Sequence, residues 1–451
     1  MISFEIDERP LSLVRPALPD YIGRLLLSAL YEPLLRWNSR RRRVEAGAAA
    51  AWSCSADHRD WEFLICESAK WHDGQPMRAK DAFETLVDAA AHPFWCRFIS
   101  PVESMETEGD RILRVRLRHA IPFFDRLLTA VEIGPKPAAG EGGADRLCSG
   151  PYRLERASPT EYVLHPNRFA QDATKRTPIR FVVNADPDAS AEGFRLGHWD
   201  VTSATGTRAR GLTGELAGRL RTHRTGIYVQ FEFAPDGVLS RSCALRQALF
   251  LAIEDEAIGS CLPDAIVPMR SFGPACFAEL TAVPLPHYDP ASARDLWRQG
   301  DGPEQIRIGY NPYYPNAELI RSCAAQWQDV LGTDVVALAF PFGEEPPSGC
   351  QASLALRFPA FPDAWSVIDQ LLRFADAQNP GSGLWRRAAN WLLEPQTPDG
   401  YLERLVAELG AAMPVLPLGE VVANWIERDT VRGFEIPDDA CFSLATLQLC
   451  A

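Results

Sequence analysis

Apolar and polar residues alternate along the chain with two periods, one typical of helices and the other of strands. Residues 20–35 carry leucine and isoleucine at helical spacing behind Asp20, which predicts a helix with this aspartate as its N-cap. The segments "WEFLIC" (61–66), "RILRVRLR" (111–118) and "IRFVVN" (179–184) alternate with period two and predict strands. The first part of the chain is therefore predicted to mix helices with strands.

After Tyr228 the pattern changes, and predicted helices and strands follow one another in turn. Ser242 and Asp289 are predicted N-caps of two helices, the second with Pro290 at its first position. A third predicted helix, residues 316–331, lies between the predicted strands "QIRIGY" and "DVVALAF". This alternation indicates an α/β lobe.

The bulk properties narrow the classes of function. A chain of 451 residues is too long for one simple core, so two or three domains are expected. The net charge of −13 argues against a nucleic-acid partner, because phosphate binding requires a basic face. One basic run, residues 40–43, consists of four arginines; we interpret it as a solvated loop in preference to an anion site, since it lacks interleaved aromatic residues.

Cysteine usage and the N-terminal sequence bear on location and cofactors. The 11 cysteines are scattered without a Cys-x-x-Cys pair, which favours reduced thiols over a disulfide framework or a zinc site. No apolar run reaches the ~18 residues that a membrane span requires. The start "MISFEIDERPLSLV" lacks the pattern of a secretory signal, so a cytoplasmic location is expected. Neither a metal nor an organic cofactor is predicted.

The stretch "AKWHDGQPMRAKDAF" (69–83) places His72 beside Asp73 and admits two interpretations, a catalytic or metal site and a simple corner. A zinc site would need further ligands at helical or knuckle spacing, and none accompanies His72. No Gly-x-Ser-x-Gly, Gly-x-Gly-x-x-Gly or P-loop motif is present. Asp73-Gly74 is a typical turn dipeptide, so the corner is the preferred interpretation.

Seven segments in order resemble signature segments of one family. They are "LYEPLLRWN" (30–38), "AAAWSCSADHRDWEFLICESAKWHDG" (49–74), "WHDGQPMRAKDAFETLVDAA" (71–90), "CSGPYRLE" (148–155), "FRLGHWDVTS" (194–203), "LRQALFLAIEDEAI" (245–258) and "YDPASARDLW" (288–297). Together they resemble the bacterial extracellular solute-binding proteins of family 5, the substrate-binding proteins of peptide- and nickel-type ABC transporters. The resemblance extends from about Leu30 to about Trp425.

The resemblance implies an α/β, two-lobe, periplasmic-binding-protein-like (Venus-flytrap) fold of the peptide-binding type, with an extra subdomain in the first lobe. Residues 1–228 would form lobe 1, with the inserted subdomain at about 38–147. Residues 229–413 would form lobe 2, and 414–451 would return to complete lobe 1. A small-molecule ligand would then be enclosed at the hinge, where exclusion of water strengthens each polar contact.

One segment departs from the family pattern. "RFPAFPDAWSVIDQLL" (357–372) resembles a segment in which a carboxylate anchors the α-amine of a bound peptide. Here the matching position is Ala360, with Arg357 at the position of a tryptophan. Asp363 follows three residues later and is a candidate replacement. An arginine in the cleft would suit a carboxylate or a phosphate.

Two hypotheses of different classes follow. The preferred hypothesis is a non-secreted solute-binding protein that encloses a small amine-containing or anionic metabolite. The alternative is an enzyme on the same fold that joins an aromatic amine to an aldehyde by a Pictet–Spengler-type ring closure, with Asp363 and Glu32 as acid and base. The candidate ligand-binding residues are Tyr31, Tyr228, Arg357, Phe358, Asp363, Trp365 and Trp425.

The expected partners follow from the same resemblance. An ABC permease is a doubtful partner for a chain predicted to be cytoplasmic. The chain also resembles the ligand domain of cytoplasmic sugar-phosphate-stress transcription regulators, which carry a helix-turn-helix in front of this fold. No such segment precedes Leu11, so direct DNA binding is not expected.

Overall fold

The computed structural model describes residues 1–16, 20–137, 148–170, 173–186, 188–203, 214–381, 383–392, 400–441, 444 and 448–449. Its strands, in chain order, are β1 (Ile2–Ile6), β2 (Leu35–Asn38), β3 (Arg43–Ala46), β4 (Ala49–Cys54), β5 (Asp60–Ile65), β6 (Val102–Glu108), β7 (Ile112–Leu117), β8 (Tyr152–Ala157), β9 (Glu161–Pro166), β10 (Ile179–Val183), β11 (Arg221–Phe233), β12 (Ile266–Pro268), β13 (Gln305–Tyr310), β14 (Asp334–Ala339), β15 (Ala352–Arg357), β16 (Val415–Trp425), β17 (Val431–Arg432) and β18 (Gln448–Leu449).

The α-helices, in chain order, are α1 (Tyr21–Leu30), α2 (Ala79–Ala91), α3 (Cys96–Ile99), α4 (Phe124–Leu127), α5 (Ser190–Leu196), α6 (Val238–Arg241), α7 (Cys243–Leu251), α8 (Asp255–Cys261), α9 (Ala278–Thr281), α10 (Pro290–Gln299), α11 (Asn316–Leu331), α12 (Trp365–Gln378), α13 (Leu384–Leu392) and α14 (Tyr401–Ala412). Short 3-10 turns cover Val131–Ile133, Ala173–Lys175 and Gly214–Arg219. Within the described ranges, no helix combines the length and the apolar character that crossing a membrane requires.

The predicted helix starts are confirmed. Asp20 accepts a hydrogen bond from the backbone N–H of Gly23 and caps α1. Ser242 caps α7, and Asp289 caps α10 with Pro290 at the first helical position. Each cap satisfies an N–H group that the first turn of a helix leaves without a partner.

The helix predicted over residues 20–35 ends earlier, at Leu30. Tyr31 is already extended, with φ −124°, while its N–H still bonds to the carbonyl of Leu27. Pro33 disfavours helical geometry in the residue before it, so the chain leaves the helix here and enters β2.

The His72-Asp73 pair forms the predicted corner. The Asp73 carboxylate accepts from the N–H of Gln75 at 2.9 Å, and Gly74 adopts φ +93°. The His72 Nε2 lies 3.2 Å from the carbonyl of Gly150, and burial lowers the pKa of this imidazole. His72 thus connects this turn to Gly150, which lies just before β8.

Three sheets form the framework of the two lobes. A four-stranded sheet has the order β1-β10-β9-β8, and a second has the order β4-β5-β7-β6. A six-stranded sheet has the order β12-β16-β11-β15-β13-β14, and β13 is parallel to both β14 and β15. The architecture is the two-lobe α/β fold that the sequence predicted.

The buried apolar residues fall into three main cores. One contains β1, α1 and β8–β10 together with Ala423 and Trp425. A second contains residues 34–133, the inserted subdomain, and a third contains residues 227–421, the second lobe. Strand β16 begins in the second-lobe core at Val415 and ends in the first-lobe core, so the two lobes share one strand. The predicted domain boundaries stay a prediction.

Strands β11 and β16 pair antiparallel from one lobe to the other, and their register shifts between Arg224 and Tyr228. Gly226 lies in this bulge with φ +70°, and a Cβ atom on it would lie 2.5 Å from the carbonyl oxygen of Asp438. Glycine is therefore required here by conformation and by space. The bulge bends the ladder where the chain passes between the lobes.

The four arginines at residues 40–43 are all ion-paired. Arg40 pairs with Glu435, and Arg42 lies 2.8 Å from Asp438. Arg41 and Arg43 both pair with Glu45 of the same hairpin. This run therefore joins the β2–β3 hairpin to residues 435–438, and its charges are already matched.

The segment that follows β15 inserts into the subdomain core. Phe361 is 1% exposed; its ring centroid lies 5.1 Å from that of Phe98 and 5.7 Å from that of Phe123. Two ion pairs flank this aromatic contact, Arg126–Asp363 at 2.5 Å and Arg97–Asp369 at 3.2 Å. The second lobe is therefore closed onto the subdomain.

We predict that Phe361→Ala weakens this closed arrangement. Removal of a buried phenylalanine costs roughly 3–5 kcal/mol in a core, and here the cavity would open between the lobes. Small-angle X-ray scattering should show a larger radius of gyration than for the unchanged chain, and the melting temperature should fall. Tyr288→Ala, which removes an exposed ring, serves as the control. An unchanged radius of gyration in Phe361→Ala would show that this ring does not hold the lobes together.

A second prediction concerns pH. Burial raises the pKa of Asp363 from 3.8 to about 6, and the hydrogen bond from the N–H of Trp365 and the charge of Arg126 offset this only in part. A carboxyl group whose pKa is higher in the folded state binds its proton more tightly there, so its contribution to stability falls as pH rises from about 4 to about 6. The free energy of unfolding of the unchanged chain, minus that of Asp363→Asn, should fall by on the order of 2 kcal/mol across this window. Urea titrations at several pH values measure the difference, and parallel curves would contradict the assignment.

Candidate functional site

A cleft of about 1170 Å³ lies between the lobes. Its floor includes Ile227 of β11 and Val421 of β16, the two strands that pass from lobe to lobe. Its walls come from the segment after β1, the start of α1, the loop before α11, the end of β15 and one face of α12. The volume exceeds the range of about 300–1000 Å³ that is usual for drug-sized ligands, so the cleft has room for more than one amino acid.

Aromatic side chains form much of the wall. They are Tyr21, Phe94, Tyr313, Tyr314, Phe342, Phe358 and Phe374. They come from the subdomain, from the first lobe and from four segments of the second lobe. Rings of this kind provide apolar area with little conformational freedom to lose, and their faces attract cations.

The segment after β1 gives the cleft an acidic wall. Asp7, Glu8 and Asp20 line it, and burial followed by the charge of Asp20 raises the pKa of Glu8. Burial also raises the pKa of Tyr313, and the charges of Glu8, Asp7 and Asp20 raise it further. Glu8 is half-buried and makes no hydrogen bond or ion pair with another described residue.

Two arginines of the cleft are fully matched by carboxylates. The guanidinium of Arg357 forms two hydrogen bonds of 2.6 Å with Glu232, and this pairing raises its pKa although burial alone would lower it. Arg24 lies 2.8 Å from Glu132 and also donates to the carbonyl of Pro359 at 2.6 Å. Neither arginine therefore presents an uncompensated charge to a ligand.

A different arrangement surrounds Arg373. Its Nε lies 3.3 Å from Asp369, and the same carboxylate is 3.2 Å from Arg97 of the subdomain. Burial raises the pKa of Asp369, while Arg97 and Arg373 oppose that shift. Two guanidinium groups thus share one carboxylate beside Phe94 at the edge of the cleft.

Of the predicted ligand-binding residues, Arg357 and Phe358 line the cleft. Phe358 also carries the guanidinium of Arg24 over its ring at 4.5 Å. Arg357 is predicted to pair with an anionic ligand, but in the structure its guanidinium pairs with the carboxylate of Glu232. The ligand contacts of these two side chains stay a prediction.

The other aromatic candidates lie within packed cores, outside the cleft lining. Tyr228 is 1% exposed in the second-lobe core, and Trp425 packs edge-on against Phe434 in the first-lobe core. Tyr31 lies under the guanidinium of Arg15 at 3.6 Å, and burial raises its pKa to about 12. Trp365 contacts the subdomain core and the second-lobe core, with its ring 6.0 Å from that of Phe123.

The two predicted catalytic carboxylates are also absent from the cleft lining. Glu32 holds Arg36 through two hydrogen bonds of 2.5 and 2.7 Å, and Asp363 pairs with Arg126 and accepts from the N–H of Trp365 at 2.9 Å. Neither carboxylate is therefore available to a ligand in the cleft in this closed arrangement. Among the described residues, no group of three or more His, Cys, Asp or Glu side chains could hold a metal ion.

Sequence reasoning missed Glu8, Tyr313 and Arg373. Glu8 and Tyr313 lie in loops, where no periodic pattern indicates which side chains face the cleft. For Arg373 a signal was present, because Ser366, Gln370 and Arg373 recur at helical spacing with Phe374 and Ala377. This row is the face of α12 that lines the cleft.

Comparison with known proteins agrees with this architecture. Residues 43–365 match the family described as bacterial extracellular solute-binding proteins, family 5 Middle. A Brucella ovis protein provisionally named as an ABC transporter peptide-binding protein is 24% identical over 333 residues, which cover 68% of this chain and 62% of the relative. The periplasmic murein peptide-binding protein MppA of Escherichia coli is 24% identical over 350 residues, with 68% and 64% coverage. The chain thus spans less than two thirds of the length of these relatives.

Solved structures share the fold over almost the whole chain. Haemophilus influenzae OppA, in complex with the peptide RPPGFSPFR, superposes with a TM-score of 0.84 at 18% identity and covers 99% of this chain and 98% of its own. Escherichia coli MppA superposes with a TM-score of 0.81, also at 18% identity, and covers 99% of this chain and 98% of its own. Its unliganded open form reaches only 0.68 and covers 99% and 97%.

The family match covers well over half of the chain, and the cleft lies between two lobes joined by shared strands. This chain belongs to the bacterial extracellular solute-binding proteins of family 5.

Proposed function

We propose that this solute-binding protein encloses a peptide-sized, amine-bearing ligand between its lobes. The observation that carries the proposal is the acidic wall of the cleft, where Glu8 and Tyr313 both line the cleft and Glu8 has no cationic partner among the described residues. A half-buried carboxylate in such a place is stabilised by a ligand ammonium group, which donates charge-assisted hydrogen bonds to it.

The balance of charge in the wall supports a cation. Arg24 and Arg357 are matched by Glu132 and Glu232, which lie outside the cleft lining. On the segment after β1, the carboxylate of Glu8 lines the cleft and makes no ion pair with a described residue. The nearby tyrosine rings attract a cation through their faces as well as through their hydroxyl groups.

The size of the cleft supports a ligand larger than a small metabolite. About 1170 Å³ is more than a single amino acid fills, and the aromatic walls offer several separate apolar contacts. The relatives named above carry names that refer to peptide binding, in agreement with a ligand of this size. A permease of the ABC class is the partner that those names suggest, and we include it in the proposal.

No observation favours the enzyme hypothesis as a second candidate. Glu32 and Asp363 are both engaged by arginines, and neither lines the cleft. A Pictet–Spengler-type ring closure therefore stays a hypothesis from the sequence. The cytoplasmic location also stays a prediction, which fractionation of cells that express the native gene would test.

The proposal is tested by incubating the purified protein with a proteolytic peptide digest and recording native mass spectra. We expect one protein to carry one peptide of several residues, and the peptide to be released unchanged on denaturation. N-acetylation of the digest should greatly reduce the bound fraction, because it removes the α-ammonium groups. A protein that stays unloaded with both digests would overturn the proposal.

We predict that Glu8→Gln weakens binding of a captured peptide by about tenfold or more, since a hydrogen bond to a charged group contributes roughly 1.5–3 kcal/mol. Isothermal titration calorimetry measures the change. Glu345→Gln, at an exposed carboxylate in the loop after β14, is the matched control and should bind as the unchanged chain does. Equal affinities of Glu8→Gln and the control would show that the ammonium group lies elsewhere.

A further inference from the structure

Arg24 is a buried residue of the cleft that the proposed function does not use. It lies on α1 in the first lobe and is 5% exposed. Its Nη1 donates to the carbonyl of Pro359 at 2.6 Å, and its Nη2 donates to the carbonyl of Ala360 at 3.3 Å. Both carbonyls belong to the connection between β15 and α12 of the second lobe. Arg24 therefore makes two hydrogen bonds from one lobe to the other.

Contacts within the first lobe fix the orientation of this guanidinium. The Nε of Arg24 donates to Glu132 at 2.9 Å, and its Nη2 lies 2.8 Å from the same carboxylate oxygen. Glu132 is buried in the 3-10 turn Val131–Ile133, which packs against α1. Since both partners belong to the first lobe, their ion pair does not depend on closure. It aims the remaining N–H groups of Arg24 at the second lobe before the lobes meet.

The same guanidinium also contacts the wall of the cleft. Its Cζ atom lies 4.5 Å from the ring centroid of Phe358, which lines the cleft. This ring packs against both the first-lobe core and the second-lobe core. A guanidinium group over an aromatic face is attracted by the negative charge density of the ring. Arg24 therefore stabilises the position of an aromatic wall residue as well as the backbone that follows it.

These contacts together require an arginine. One planar guanidinium serves one carboxylate and two carbonyls through four N–H···O contacts, whereas a lysine ammonium is a point charge with three donors. When the lobes separate, Arg24 keeps Glu132 but loses the carbonyls of Pro359 and Ala360. Hydrogen bonds from a charged donor are stronger than neutral ones, so this loss favours the closed arrangement over the open one.

We propose that Arg24 is a positioning residue that sets the equilibrium between the open and closed lobes. The inference goes beyond the proposed function, because it concerns the ligand-free protein as well. The apparent affinity for a ligand falls with the fraction of protein in the binding-competent state. Arg24 thus adjusts peptide affinity through the position of the lobes, while its own N–H groups are taken up by Glu132, Pro359 and Ala360.

The first test uses the ligand-free protein. Small-angle X-ray scattering measures the radius of gyration, and hydrogen–deuterium exchange with mass spectrometry measures the protection of residues 358–366. We expect Arg24→Gln to increase the radius of gyration and to accelerate exchange in this segment by about tenfold, since two hydrogen bonds from a charged group are lost. Arg24→Lys keeps the charge without the fork, so its effect should lie between that of Arg24→Gln and the unchanged chain.

Arg246→Gln is the matched control. Arg246 is also 5% exposed, and it donates to four backbone carbonyls, those of Leu239, Ser240, Ala412 and Met413. All four lie within the second lobe, so its loss removes buried hydrogen bonds without touching a contact between the lobes. The control should lower the melting temperature and leave the radius of gyration and the exchange of residues 358–366 unchanged.

The second test adds the proteolytic peptide digest as the probe. Native mass spectra at one fixed, subsaturating digest concentration give the fraction of protein that carries a peptide. We expect this fraction to fall by up to about tenfold in Arg24→Gln, in line with a smaller closed population. Arg24→Lys should recover part of the loss, and Arg246→Gln should load as the unchanged chain does.

The outcomes separate this inference from a structural role and from the proposed function. Scattering and exchange in Arg24→Gln equal to those of the unchanged chain would overturn the inference, even if the melting temperature fell. Equal changes in Arg24→Gln and Arg246→Gln would also overturn it, because a general loss of stability would then explain both. If the unchanged chain captures no peptide, the proposed function fails, and the ligand-free measurements still decide the role of Arg24.

Discussion

The antiparallel pairing of β11 with β16 is the constraint on which the rest of the structure depends. These strands begin in one lobe and end in the other, so a relative movement of the lobes bends this ladder. The bulge at Gly226 supplies the bend, and the carbonyl of Asp438 leaves no room for a side chain there. Ile227 and Val421 follow directly and form the floor of the cleft. The bulge between the lobes and the floor of the cleft are therefore formed by the same two strands, β11 and β16.

Ion pairs within the chain determine which charged groups of the cleft stay unmatched. Arg357 and Arg24 are each matched by one carboxylate and are electrostatically satisfied without a ligand. Asp369 is shared between two arginines, and Glu8 has no cation among the described residues. Groups that the protein leaves unmatched are the ones that a ligand can stabilise, since matched pairs gain little from a further partner.

Local signals in the sequence predicted the helix starts at Asp20, Ser242 and Asp289, and the order of the seven family segments predicted the two-lobe fold. The site was less predictable, because its geometry depends on contacts between distant residues. Arg126 and Asp363 are 237 positions apart, and no local pattern announces their pairing. Tyr228 and Trp425 are predicted from the sequence as ligand-binding residues. In the structure, Tyr228 is buried in the second-lobe core and Trp425 in the first-lobe core, so neither lines the cleft.

The sequence left two kinds of ligand as alternatives, one with an amine and one with an anion. The charged side chains that line the cleft bear on both alternatives. Glu8 and Tyr313 form one charged region, and Arg373 with Phe94 forms another, on segments from different bodies of the molecule. The ligand that we propose brings an ammonium group to Glu8, because desolvation of a charge without a partner is costly and no described residue pairs with that carboxylate.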